Sequence, residues 1–222
     1  MDLYKLLKSL EEFLYEIIVL LVFYPRTMWL SLRYPQRMMD YADTELGDVQ
    51  SGQYTDTVSP PLFLMITLGL TYAVGLMLHT PTLEEEVPSL VADPERMLVF
   101  RVFAFSMLPL FLSLRLLHNL DIKLDRDTLR PPFYSQCFVT APFTLALGVG
   151  LTLTTTGGFR SAWVGVVLMV LGTIWFIRQQ AHWFSTKLGS SRFRGWTRAI
   201  STFLLAWAAI IAIILAVSWA SQ

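Results

Sequence analysis

Long apolar runs separated by short polar segments make up most of the chain after residue 60. Lipid cannot hydrogen-bond an exposed backbone, so a spanning helix needs about 17–25 consecutive, mainly apolar residues. Four runs meet or nearly meet this requirement, and a fifth is interrupted by an arginine near each end. The pattern predicts an all-α polytopic membrane protein with five transmembrane helices, at residues 61–78, 97–117, 133–153, 162–183 and 196–219.

The weakest of these spans is 97–117, where Arg101 and Arg115 enclose a shorter apolar run. The helical rise between them is about 21 Å, so the two side chains can reach opposite membrane interfaces. They also share one helix face to within about 40°. The functional alternative is that they line a polar cavity or bind an anionic headgroup.

The N-terminal segment, residues 1–40, contains an apolar run at 13–24 that is broken by Glu16 and followed by Pro25. A cleaved signal peptide is disfavoured by Glu11 and Glu12 and by the lack of a small-residue cleavage site. A sixth span is too short unless it runs through Pro25. The favoured interpretation is an amphipathic helix that lies in the membrane interface.

Basic and aromatic side chains of this segment are the predicted interfacial anchors, since aromatic rings lie at headgroup level and cations face acidic lipid. The anchors are Arg26, Trp29, Arg33 and Arg37. Residues 41–60 are predicted to form a polar linker, because no apolar period is visible there.

Lysine and arginine alternate along the chain in a way that predicts orientation. They are concentrated before the first span, between the second and third spans, and between the fourth and fifth. The other two connections each hold one arginine, Arg96 and Arg160. Because cytoplasmic loops are enriched in these residues, the N-terminus is predicted to be cytoplasmic and the C-terminus outside.

Composition agrees with the membrane class, since 54% of the residues are hydrophobic and 15% are charged. Soluble domains carry about 25% charged residues. The formal net charge is zero and no basic stripe is present, which argues against nucleic acid as a partner. Membrane lipids, anionic at the cytoplasmic face, are the expected partners, together with a second copy of the chain or another membrane protein.

Residues that carry chemistry are sparse in the spans. None of the five contains aspartate or glutamate, which argues against a proton relay built on acids. The three histidines match no metal-binding spacing, and Cys137 is the only cysteine. The sequence therefore predicts no catalytic site, metal or cofactor. Gln136, at the start of the third span, joins Arg101 and Arg115 as a candidate for lipid or polar-cavity contacts.

Small residues indicate where helices pack closely in lipid. Ala208, Ala212 and Ala216 share one face of the last span, where they predict packing within the chain or a seam between copies. Glycines in the third and fourth spans predict close helix contacts, and these are Gly148, Gly150, Gly165 and Gly172. Pro109 and Pro142 lie mid-span and are expected to bend their helices.

Several short motifs resemble the Yip family, the Ypt/Rab-interacting membrane proteins, and its bacterial relatives that are labelled permeases. The motifs are Phe23-Tyr24-Pro25-Arg26-Thr27, Tyr34-Pro35, Arg37-Met38, Ser59-Pro60-Pro61-Leu62-Phe63, Phe133-Tyr134-Ser135-Gln136-Cys137 and Ala141-Pro142-Phe143. The resemblance covers the chain from about residue 20 and implies five spans. The long N-terminal region of the eukaryotic members is missing, and the family offers no catalytic residues to carry over.

Two functions follow as hypotheses. The first is a non-enzymatic, Yip-like protein of the bacterial inner membrane that organises membrane or recruits partners through its cytoplasmic face. The second is a transporter or permease subunit with a polar path near Arg101, Arg115 and Gln136. Transport favours polar groups at the membrane midplane. The spans offer few such groups, so the first hypothesis is preferred.

Overall fold

The computed structural model describes residues 3–46, 54, 56–78, 94–156 and 158–220. Its described part contains helices and no strands, which confirms the all-α class. The helices are α1 Leu3–Arg33, α2 Pro35–Glu45, α3 Pro60–Met77, α4 Pro94–Asn119, α5 Arg126–Thr156, α6 Phe159–Lys187 and α7 Arg192–Ala220.

Five helices, α3 to α7, are long and apolar enough to cross a membrane, as the sequence predicted. The largest difference in bounds is at α5, which begins seven residues before the predicted span. Asp125 caps it, because one carboxylate oxygen accepts the backbone N–H groups of Thr128 at 2.8 Å and Asp127 at 3.0 Å. The hydroxyl of Thr128 accepts the N–H of Asp125 in return, at 3.0 Å. The bonds from Thr128 and Asp127 hold the pKa of Asp125 below its usual value.

Helix α5 is the centre of the bundle. It contacts α1, α2, α3, α4 and α6. Every side chain from residue 135 to residue 144 is buried, so all faces of α5 are covered over nearly three turns. The ring of Phe138 packs against Phe63 of α3, and that of Phe143 stacks on Phe176 of α6. The arrangement of the other helices is therefore set by how they fit against α5.

Helices α5 and α6 cross at glycines, as their small residues predicted. A Cβ on Gly165 would lie 2.4 Å from the carbonyl oxygen of Gly150, and one on Gly150 would lie 2.8 Å from that of Gly165. Gly172 faces Ala146 in the same interface, while Gly148 faces Thr71 of α3. Backbones approach this closely only where side chains are absent, which is how helices gain contact in lipid.

The alanine stripe of the last span has a different environment. Ala208, Ala212 and Ala216 are exposed, so the expectation that they pack within the chain is wrong. The face of α7 that is buried instead carries Ala199, Ala206 and Ile210. A seam between two copies stays a prediction.

The N-terminal segment is helical, as predicted, but it is divided into two helices. Helix α1 continues through Pro25 to Arg33, so the run at 13–24 is not closed by that proline. After Tyr34 the chain turns by 119° into α2. The polar linker predicted at 41–60 is partly wrong, because residues 41–45 belong to α2. Beyond α2, Thr57 and Val58 are buried against the bundle.

Among the described side chains of α1, those that contact the bundle lie in its C-terminal half. The hydroxyls of Tyr24 and Thr67 are 3.1 Å apart, and the hydroxyl of Thr27 accepts the N–H of Val58 at 3.1 Å. Upstream of these contacts an apolar stripe at helical spacing is exposed, and it consists of Leu10, Leu14, Ile18 and Leu21. Exposed Lys8 and Glu11 lie beside it, which makes α1 amphipathic.

Replacing Gly165 by alanine tests the close crossing. The new methyl group would meet the backbone oxygen of Gly150, which cannot move aside without displacing α5. We expect Gly165→Ala to lower the free energy of unfolding in detergent by about 1–3 kcal/mol. Gly69→Ala is the matched control, since nothing lies within 4 Å of a Cβ there. Equal thermal stability of the two variants would contradict the crossing.

Candidate functional site: the polar layer beneath α2

Two buried glutamines pair across the α5–α6 interface. The side-chain amide of Gln180 donates to the Oε1 atom of Gln136 at 2.6 Å, and the two residues are 1% and 0% exposed. Within the described part of the chain, the Nε2 atom of Gln136 and the Oε1 atom of Gln180 have no hydrogen-bond partner. An unpartnered buried amide group costs about 1–3 kcal/mol, so these two atoms lower the stability that the pair contributes.

Helix α2 packs over the same end of α5 and α6. The hydroxyl of Ser135, beside Gln136, donates to the carbonyl oxygen of Met39 at 2.7 Å and lies 3.0 Å from a carboxylate oxygen of Asp43. The amide of Gln36 donates to the backbone oxygen and the side-chain oxygen of Gln179, at 3.1 and 3.0 Å. We call Gln36, Ser135, Gln136, Gln179 and Gln180 the polar layer.

An ionic contact fixes the outer edge of the polar layer. The ammonium group of Lys187 lies 2.9 Å from Asp43 and 3.1 Å from Asp40, both on α2. The same ammonium group lies 4.4 Å from the ring centre of Trp183. Exposed ion pairs contribute only about 0–1 kcal/mol. The burial of Met39 and Ala42 therefore supplies more of the affinity of α2 for the bundle than the charges do.

Aromatic rings close the bundle on the membrane side of the polar layer. Phe143 and Phe176 stack with ring centres 4.4 Å apart, and each lies 5.9 Å from the ring of Phe203. Trp207 extends this cluster at 6.2 Å from Phe203. Gln136 and Gln180 are thus separated from the far half of the bundle by packed rings.

The three residues that the sequence proposed for a polar path have different environments. Arg101 is half-buried, with its guanidinium carbon 5.0 Å from the ring centre of Tyr72. Arg115 is exposed, about four turns away at the other end of the same helix. Gln136 hydrogen-bonds to Gln180. The two arginines thus lie about four turns apart on α4, whereas Gln136 is paired in the α5–α6 interface.

The four predicted anchors are all exposed. Trp29 is 66% exposed, and Arg26, Arg33 and Arg37 lie on the surface of the α1–α2 pair. The guanidinium carbons of Arg33 and Arg37 each lie 5.2 Å from the ring centre of Tyr34, which occupies the turn between the two helices.

Sequence reasoning found Gln136 but missed its surroundings. Gln180, Gln36 and Asp43 were not singled out, although two consecutive glutamines directly after the apolar run of the fourth span were a visible signal. Among the described residues, no group of three or more histidine, cysteine, aspartate or glutamate side chains is placed to hold a metal ion.

Comparisons with known proteins add no further identification. No family model, no curated protein and no solved structure matches this chain. The resemblance to the Yip family is neither supported nor opposed by these comparisons, and it stays a hypothesis.

A double-mutant cycle at the glutamine pair tests the buried amide interaction. Gln136→Leu alone leaves Gln180 buried without its one amide partner, and we expect a loss of about 1–3 kcal/mol in the free energy of unfolding. Replacing both residues by leucine removes both polar groups, so the double variant should be more stable than the sum of the single losses predicts. Additive losses in detergent unfolding would show that the two amides do not interact.

Proposed function

We propose that this chain is a non-enzymatic integral membrane protein that organises membrane or recruits partners through the end of the bundle that carries α2. The observation that supports this most is the docking of α2 on α5 and α6. It holds α1 against the bundle by its C-terminal end and leaves the apolar stripe at Leu10, Leu14, Ile18 and Leu21 uncovered. Such a stripe on an amphipathic helix suits insertion into one leaflet.

The charge distribution supports a cytoplasmic position for the α2 end. Polar contacts place the C-terminal end of α6 beside α2, and the exposed residues Arg192 and Arg194 follow directly on α7. At the opposite end of α6 the exposed cation is Arg160. Because positive loops are retained in the cytoplasm, we infer a cytoplasmic N-terminus and an outside C-terminus, and the Yip resemblance favours the bacterial inner membrane.

The packing of the interior favours this role over transport. A transport path requires polar groups near the membrane midplane and interrupted helices. Here the Phe143–Phe176 stack follows the polar layer directly on its membrane side. Pro109 and Pro142 lie within continuous helices. Ser113 is buried near Pro109, but its hydroxyl donates to the carbonyl oxygen of Pro109 on its own helix.

A transporter or permease subunit is the second candidate. It is favoured by the glutamine pair, because a buried donor on Gln136 and a buried acceptor on Gln180 suit a polar solute. A solute could reach the two side-chain amides only if α2 moved, since this helix packs over them.

Replacing the two arginines of α4 by lysine distinguishes the scaffold hypothesis from the transporter hypothesis. A lysine at residue 101 keeps a cation near Tyr72, and one at residue 115 keeps a charge on an exposed position. If the arginines serve only to position α4, Arg101→Lys and Arg115→Lys should both restore growth or morphology to a deletion strain as fully as the wild-type gene does. An anion-binding path needs the planar guanidinium fork and would be impaired by lysine.

Membrane insertion of each lysine variant is the control, measured as the amount of monodisperse protein extracted by mild detergent. Two variants that insert normally and both fail to complement would overturn the scaffold proposal and favour transport.

A further inference from the structure

The turn between α1 and α2 gathers positive charge at one point. Tyr34 occupies the 119° turn, and the guanidinium carbons of Arg33 and Arg37 both lie 5.2 Å from its ring centre. The two cations are therefore within about 10 Å of each other and repel. A ring face attracts each cation but does not neutralise its charge.

Neither guanidinium group is neutralised by a carboxylate within the described part of the chain. Asp40, one turn after Arg37 on α2, forms its ion pair with Lys187 of α6 instead. Arg33 and Arg37 are both exposed, and among the described residues each guanidinium group contacts the ring of Tyr34. Asp40 and Asp43 of α2 thus pair with Lys187 of α6, which leaves Arg33 and Arg37 available to an external anion.

The position of this turn along the bundle indicates which anion is accessible. Gln36 lies between Pro35 and Arg37 and donates to the backbone oxygen of Gln179. Gln179 follows exposed Arg178, where the apolar run of α6 ends. The turn is therefore level with the boundary between the apolar and polar parts of the bundle, where lipid phosphates are found.

We propose that Arg33, Tyr34 and Arg37 form a clamp for the phosphate group of an anionic lipid headgroup. Guanidinium groups bind phosphate oxygens through paired N–H donors, and both guanidinium carbons lie 5.2 Å from the ring centre of Tyr34. Trp29, 66% exposed one turn earlier on α1, provides an apolar and aromatic surface beside the lipid. The clamp deepens the proposed function, on which it rests for the placement of α1 and α2 at a leaflet.

The test measures binding of phosphatidylglycerol to the detergent-purified full chain by native mass spectrometry, with phosphatidylcholine as the neutral reference lipid. The glutamine variant Arg33→Gln/Arg37→Gln loses the charge-assisted hydrogen bonds to the phosphate oxygens, so it should weaken phosphatidylglycerol binding at least about tenfold. Arg33→Lys/Arg37→Lys keeps the charge and loses the planar fork, and we expect an intermediate loss.

The matched control is Arg192→Gln/Arg194→Gln, which removes the same charge from exposed residues at the same end of the bundle. It should retain most of the binding. Equal losses in the two glutamine variants would overturn the clamp and indicate general surface charge. The clamp would also be overturned if inorganic phosphate, at the concentration of the lipid, displaced phosphatidylglycerol from the wild-type protein. Failure of the clamp variants leaves the arginine-to-lysine test of α4 unaffected, so the two proposals fail separately.

Discussion

The burial of α5 on all sides is the constraint on which the rest of the structure depends. Between residues 135 and 144 no side chain of this helix is available to lipid or water. The helices that contact it, α1, α2, α3, α4 and α6, must therefore fit around it, each through side chains of the right size. In lipid the hydrophobic effect does not bring helices together, so close packing and interhelical hydrogen bonds have to do so. Glycine at residues 148 and 150 meets this requirement on two sides of α5.

The same helix explains why polar groups are buried at the α2 end. One face of α5 presents Gln136 to α6, and the adjacent residue, Ser135, faces α2. Burying amides and hydroxyls costs free energy unless they are paired, and the glutamine pair is only half satisfied. The polar layer gives α2 a defined position on α5 and α6, which apolar packing alone would specify less well. That position in turn fixes the turn at Tyr34 and the direction in which α1 leaves the bundle.

Hydropathy was sufficient to predict the five spans, because the membrane demands continuous apolar helices and leaves few alternatives. The start of α5 was not predicted, although Asp125 and Thr128 form a recognisable capping pair once their spacing is noted. The amphipathic segment was predicted at residues 1–40, but the turn at Tyr34, which divides it into α1 and α2, was not predicted.

The candidate site was less predictable than the spans. Gln136 was found from its polarity, but its partner lies 44 residues away on a neighbouring helix. The docking of α2 depends on Gln36 and Asp43 reaching α6, and a local pattern in the sequence does not encode such long-range contacts. For the alanines of α7 the sequence predicted a contact within the chain that the structure does not contain. A stripe of small residues indicates a surface fit for packing and does not say which partner occupies it.

The central claim is that docking of α2 holds α1 along one leaflet. The most direct measurement is the membrane depth of spin labels on the full chain in lipid nanodiscs, at cysteines introduced for Leu10, Leu14 and Leu21 in a Cys137→Ser background. The ratio of oxygen to nickel-chelate accessibility reports depth at each site. If α1 lies along one leaflet, all three residues should have similar, shallow depths. Depths that change steadily, by about 1.5 Å per residue as in a spanning helix, would contradict it.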